Sequence, residues 1–102
     1  MRLEYENPAK IKKMIKQAIG MHLDLSKYKI FVFGSRVTGK GNDRSDIDIG
    51  VLGSRALSLS KLGAIKEAME DLPILYKVDV VDFKRAGENF KKVALTKIEH
   101  IK

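Results

Sequence analysis

The sequence has no cysteine, which excludes a disulfide scaffold, a zinc finger, an iron–sulfur site and a thiol nucleophile. No apolar run approaches the ~18 residues needed to cross a bilayer, and the N-terminus lacks the apolar stretch of a signal peptide, so a cytoplasmic location without membrane contact is expected. Aromatic residues are scarce, at 7%, and are not interleaved with basic ones. A stacking platform for single-stranded nucleic acid is therefore missing, as is a helix-turn-helix, and specific nucleic-acid binding is not expected. What is present is an ordinary globular balance of 44% hydrophobic and 32% charged residues in 102, room for one domain. A chain of this length buries about 60–65% of the surface it exposes unfolded. An active site must then be built from the core elements, with little left for a substrate-binding domain. The net charge of +7 suits either a polyanionic or acidic partner or simple solubility.

The apolar spacing predicts a helix–strand alternation. Asn7 is placed to cap a first helix with Pro8 at its first position, and Ile11, Met14, Ile15, Ala18 and Ile19 recur at helical spacing up to Gly20. Lys29–Phe33 reads as a short buried strand ended by Gly34-Ser35, followed by a polar loop with at most one helical turn. Asp46–Leu52 is a second strand, with Asp46, Asp48 and Gly50 on one face and Ile47, Ile49 and Val51 on the other. Ser58 can cap a helix carrying Leu59, Leu62, Ile65, Met69 and Leu72, which Pro73 stops. Ile74–Phe83 reads as a third strand and Glu88–Leu95 as a helix with Phe90, Val93 and Ala94 on its apolar side. The tail after Leu95 fits either helix or edge strand. The pattern is an α/β fold with helices packed on a small sheet. The 12 residues linking the first two strands are too few for a comfortable crossover helix, which favours an antiparallel pair and a mixed sheet.

The stretch from Phe33 to Val51 carries the chemistry. Asp46 and Asp48, at i and i+2 in a strand, project to one face about 6.5–7 Å apart along the backbone and can converge on a hard cation. Alone, they could equally be two solvated acids. Gly34-Ser35 after a buried strand lets backbone approach a phosphate closely and adds a hydroxyl donor. Alone, it could equally be a strand-ending turn, and it is neither a P-loop nor a dinucleotide fingerprint.

Together, the Gly34-Ser35 turn, the ten-residue polar loop and Ser45-Asp46-Ile47-Asp48 resemble the nucleotidyltransferase superfamily related to DNA polymerase β. The string Gly34-Ser35-Arg36, Gly39, then Ser45-Asp46-Ile47-Asp48-Ile49, is most similar to the minimal nucleotidyltransferases of prokaryotes. These are stand-alone domains of about this chain's length, many encoded beside a HEPN-domain protein as toxin–antitoxin pairs. The resemblance covers nearly the whole chain and implies a nucleotidyltransferase fold, with residues 1–102 as a single minimal domain. It extends to Val78-Asp79-Val80-Val81-Asp82, where Asp79 matches a third carboxylate and Asp82, on the opposite face, reads as a solvated or capping acid. Flanked by valines, Asp79 would be costly if buried without a partner, and a metal cluster removes that cost.

The function implied is Mg²⁺-dependent transfer of a nucleoside monophosphate, AMP from ATP in the first instance. Asp46, Asp48 and Asp79 would be the catalytic and metal residues on two Mg²⁺ ions. Gly34 and Ser35 would cradle the β and γ phosphates, and Arg36 and Arg44 could neutralise phosphate charge, although both could equally be surface residues. The loop departs from the resemblance at Thr38, where many relatives carry a basic residue. The implied acceptor is a tyrosine of a cognate HEPN toxin, silenced by AMPylation. The alternative is a non-catalytic antitoxin module that neutralises its partner by docking.

Overall fold

Asn7 opens the first helix as its composition requires: its side chain accepts from the amides of Ala9 and Lys10, two of the donors a helix start leaves unpaired. From there the computed structural model, which describes residues 1, 3–39 and 45–101, runs α1 (Pro8–Gly20), β1 (Lys29–Phe33), α2 (Ser35–Thr38) and β2 (Ile47–Leu52). It continues through α3 (Leu59–Glu70), β3 (Val78–Asp82), α4 (Glu88–Ala94) and β4 (Glu99–His100). Ser58 caps α3 by accepting from the Lys61 amide.

The four strands form one mixed sheet in the order β3-β2-β1-β4. β1 runs antiparallel to both β2 and β4, whereas β2 and β3 are parallel. Link length decides this. The short link after β1 returns the chain beside it, while α3 supplies the crossover that a parallel β2–β3 pair needs. The tail is thus settled as an edge strand rather than a helical extension.

Strand alternation sends two sets of side chains to two faces. Ile30, Val32, Ile47, Ile49, Val51, Val78 and Val80 pack beneath α1 and α3, against Ile11, Ile15, Ile19, Ile65 and Met69. Each of the three α1 isoleucines is wholly buried, worth about 1.5–3 kcal/mol apiece over an exposed position. The opposite face holds Phe31, Phe33 and Phe83, with ring centroids 4.9 Å (Phe31–Phe83) and 5.1 Å (Phe33–Phe83) apart in edge-to-face contacts. Gly50 makes that cluster possible: a β-carbon there would lie 2.3 Å from the Phe31 ring and 2.7 Å from that of Phe83. Phe90 of α4 meets Phe33 edge-on at 5.9 Å, yet Phe90 and Val93 remain exposed, so α4 covers this face only in part.

Two expectations are corrected. The third strand is Val78–Asp82, because the segment after Pro73 turns instead of extending, with the Ile74 amide bonded to the Leu72 carbonyl. Asp82 does face away from Asp79 and does cap, but it is buried, not solvated. Its carboxylate accepts from the amides of Leu57 (2.7 Å) and Lys84 (3.0 Å) and pairs with Arg85, whose guanidinium also donates to the Leu57 carbonyl. It therefore ties the β2–α3 loop to the end of β3. Asp82→Ala strands the buried Leu57 amide, which costs about 1–3 kcal/mol, and is expected to lower Tm by about 4–8 °C per kcal/mol. Asp79→Asn, at an exposed position and relieving repulsion with Asp48, is expected not to lower Tm, and thermal melts of the two variants check the contrast.

Candidate functional site

The register of the sheet assembles the site. Asp48 sits opposite Phe33 on β1 and directly beside Asp79 on β3, so the two carboxylates occupy neighbouring strands on the phenylalanine face. Adjacent strands lie about 4.8 Å apart. The second strand begins at Ile47, so Asp46 lies just ahead of it, near enough for its charge to act on Asp48. Asp46 and Asp48 are half-buried and Asp79, on the outer strand, is exposed. The cost of a buried unpaired charge, expected at Asp79, therefore falls instead on Asp48.

Asp48 registers that cost. Burial, and after it the negative charges of Asp79 and Asp46, push its carboxyl above the ordinary carboxylate range. A half-buried carboxylate with two further acids acting on it is a place where a cation would be welcome. Among the described residues no three acidic, histidine or cysteine side chains are grouped closely enough to hold a metal ion together. An open set of hard oxygens is what Mg²⁺ uses, since it takes one or two carboxylates and completes its shell with water and substrate phosphate. The donors present fit that ion.

The turn between β1 and α2 completes the site. Gly34 has φ 80° and ψ −156°, a region that only glycine adopts readily. A β-carbon at Gly34 would stand 2.5 Å from Oδ2 of Asp48, so the glycine is required both by backbone shape and by the approach of the carboxylate. Its carbonyl accepts from the amides of Val37 and Thr38, which winds Ser35 into the first turn of α2. On the other flank of Gly34 and Ser35 lies a cavity of about 250 Å³, closed by Thr38 and by Val93, Ala94, Thr96 and Lys97.

The remaining expected residues are placed differently. Arg36 is buried, its Nε and Nη2 donating to the Ser45 carbonyl at 3.1 and 2.8 Å and its guanidinium lying 4.9 Å from the centroid of the Tyr76 ring. These contacts hold the two ends of the polar loop together, so the structure gives Arg36 a bracing position. Arg44 lies outside the described residues. The structure therefore brings together Gly34, Ser35, Asp46, Asp48 and Asp79, and adds the turn after α4, for which the sequence held no local signal.

Comparison with known proteins identifies the family. The chain belongs to the polymerase beta nucleotidyltransferase family, whose model matches residues 9–101. It is 30% identical over 66 residues to a Haemophilus influenzae protein named "Probable protein adenylyltransferase MntA", a match covering 65% of this chain and 58% of that one. The chain thus spans little more than half of that relative. Among solved structures, one described as a toxin–antitoxin with AMP-PNP superimposes with a TM-score of 0.73 at 22% identity, covering 89% of this chain and 72% of the other. Another, a tri-AMPylated Shewanella oneidensis HEPN toxin in complex with MNT antitoxin, gives a TM-score of 0.60 at 23% identity, covering 89% and 71%. The mixed four-stranded sheet is thus the fold of nucleotidyltransferases. Among the described residues no helix is long and apolar enough to cross a membrane.

Proposed function

We propose that residues 1–102 form one minimal nucleotidyltransferase domain that moves AMP from ATP to a hydroxyl of a partner protein in the cytoplasm. The observation that carries this reading is the in-register pair Asp48–Asp79 on one sheet face, pressed against a glycine turn with no room for a side chain. Asp46, Asp48 and Asp79 would hold Mg²⁺, two ions being proposed. Bound there, Mg²⁺ neutralises charge on the triphosphate and favours ionisation of the attacking hydroxyl. Gly34 and Ser35 present backbone and hydroxyl to the β and γ phosphates, and their position beside Asp48 sets the α phosphate over the acids.

The acceptor oxygen forms a bond to the α phosphorus while the bond from that phosphorus to the bridging oxygen of the β phosphate breaks. Pyrophosphate leaves with the electron pair, and the hydroxyl proton passes to solvent. The outer position of Asp79 suits an acceptor arriving from another protein, because β3 has a neighbour on one side only. The relatives supply its identity as a proposal: a tyrosine of a HEPN-domain toxin, with this chain as the antitoxin.

The test is label transfer. With Mg²⁺, ATP labelled at the α phosphate and the product of the neighbouring gene, label is expected on the partner; with γ-labelled ATP it is not. Label from the γ position would make the reaction phosphoryl transfer. No label from any of the four nucleoside triphosphates, with a stable complex formed, would make the chain a docking module.

A further inference from the structure

The strand order sets the acids on one side of the Gly34 turn, and a lysine lines the cavity on the other. Asp79 and Asp48 lie in register on β3 and β2, and Asp48 faces Phe33 at the end of β1. The β1–β4 ladder pairs Phe31 with His100 and Val32 with Glu99, and carrying that register two positions further sets Gly34 against Lys97. Gly34 and Lys97 do line the same cavity. The acids' own row therefore reads Asp79, Asp48, Phe33, and the Gly34–Lys97 position lies one residue beyond it, with two strand spacings, roughly 10 Å, between β2 and β4.

The cavity is mainly apolar, with one cationic residue and three hydroxyl-bearing ones at its edge. The polar residues around it are Ser35, Thr38, Thr96 and Lys97, and no acidic residue lines it. The Thr96 hydroxyl is committed to the Val93 carbonyl at 2.6 Å, which leaves Ser35, Thr38 and Lys97 as donors. Lys97 is exposed and makes no ion pair among the described residues, whereas Lys91 on the same helix end is paired with Glu88. Val93 and Ala94 provide an apolar floor.

We infer that Lys97 is a substrate-binding residue that takes the terminal phosphates of the nucleoside triphosphate, together with Ser35 and Thr38, in the cavity between the Gly34-Ser35 turn and the turn after α4. This rests on the proposed nucleotidyl-transfer reading and deepens it. The triphosphate lies across the strands, with its α phosphate at the acids and its tail at β4, and selection for a triphosphate over a monophosphate comes from the turn before β4.

Calorimetric titrations with Mg²⁺ present test this, using ATP, AMP and inorganic tripolyphosphate on the full chain. Lys97→Ala is expected to weaken ATP and tripolyphosphate by about tenfold or more, the loss of a charge-assisted contact, and to leave AMP unchanged. Lys97→Arg is expected to restore most of the affinity. Lys92→Ala, on the outer side of α4, is expected to change none of the three. If wild type binds ATP and Lys97→Ala binds it equally well, the assignment to Lys97 is wrong while the nucleotidyltransferase reading stands. If Lys97→Ala weakens AMP but not tripolyphosphate, the cavity holds the nucleoside and the inference is overturned. If wild type binds neither ATP nor tripolyphosphate, both readings fail.

Discussion

Asp48→Asn and Asp46→Asn, made singly, are expected to lower Mg²⁺-dependent ATP binding and AMP transfer by about a hundredfold or more, with the fold intact by circular dichroism. Stability should move the other way. In EDTA, Asp48→Asn removes one of two like charges directly opposite each other in the sheet, an arrangement that costs about 0.2–1 kcal/mol, so its Tm should exceed wild type by a few degrees at neutral pH. The pH dependence has a definite sign. Burial and the neighbouring acids make the folded chain hold the Asp48 proton to higher pH than the unfolded chain does. At Asp48 the folded chain therefore holds more proton between the two pKa values, and this residue's contribution to stability falls as pH rises through that window. The advantage of asparagine should be full above the window and vanish below the ordinary carboxylate range. Mg²⁺ should raise the Tm of wild type and leave the variant unmoved. A large loss of Tm in both variants would instead mark these acids as structural.

Gly34→Ala is expected to reduce transfer nearly to background and also to destabilise. The backbone region Gly34 occupies costs an ordinary residue about 1–3 kcal/mol, and its new methyl would have to displace the Asp48 carboxylate. Gly39→Ala separates the two effects. Gly39 also has φ 80°, but a β-carbon there meets nothing within 4 Å. That variant should lose about 1–2 kcal/mol of stability and keep most of its transfer activity. Equal loss of activity in both would assign the effect to strain around α2 and not to the position of Asp48.

Much of this was legible in residue spacing. The caps at Asn7 and Ser58 are local chemistry, and both formed. The mixed sheet followed from the length of one link, and the face on which Asp48 stands from strand alternation. What was not legible depended on partners distant in sequence. Asp82 reads as a surface acid because its ligand, the Leu57 amide, lies 25 positions away. Gly50 looks like a gap in a strand until Phe31 and Phe83 close over it. Arg36 sits where a phosphate contact would be expected, and only the fold shows it turned to Ser45 and Tyr76. Lys97 could not be placed while the tail was undecided, since only the pairing of β4 with β1 brings it to the Gly34 turn.

The most direct measurement is a crystal structure with Mn²⁺ in place of Mg²⁺ and a non-hydrolysable ATP analogue, read by anomalous scattering. The expected result is a metal peak on the carboxylates of Asp46 and Asp48, with Asp79 on the same or a second ion, and the phosphate chain running over Gly34 and Ser35. Metal and triphosphate bound elsewhere, with these three acids bare, would contradict the assignment of this face as the site of transfer.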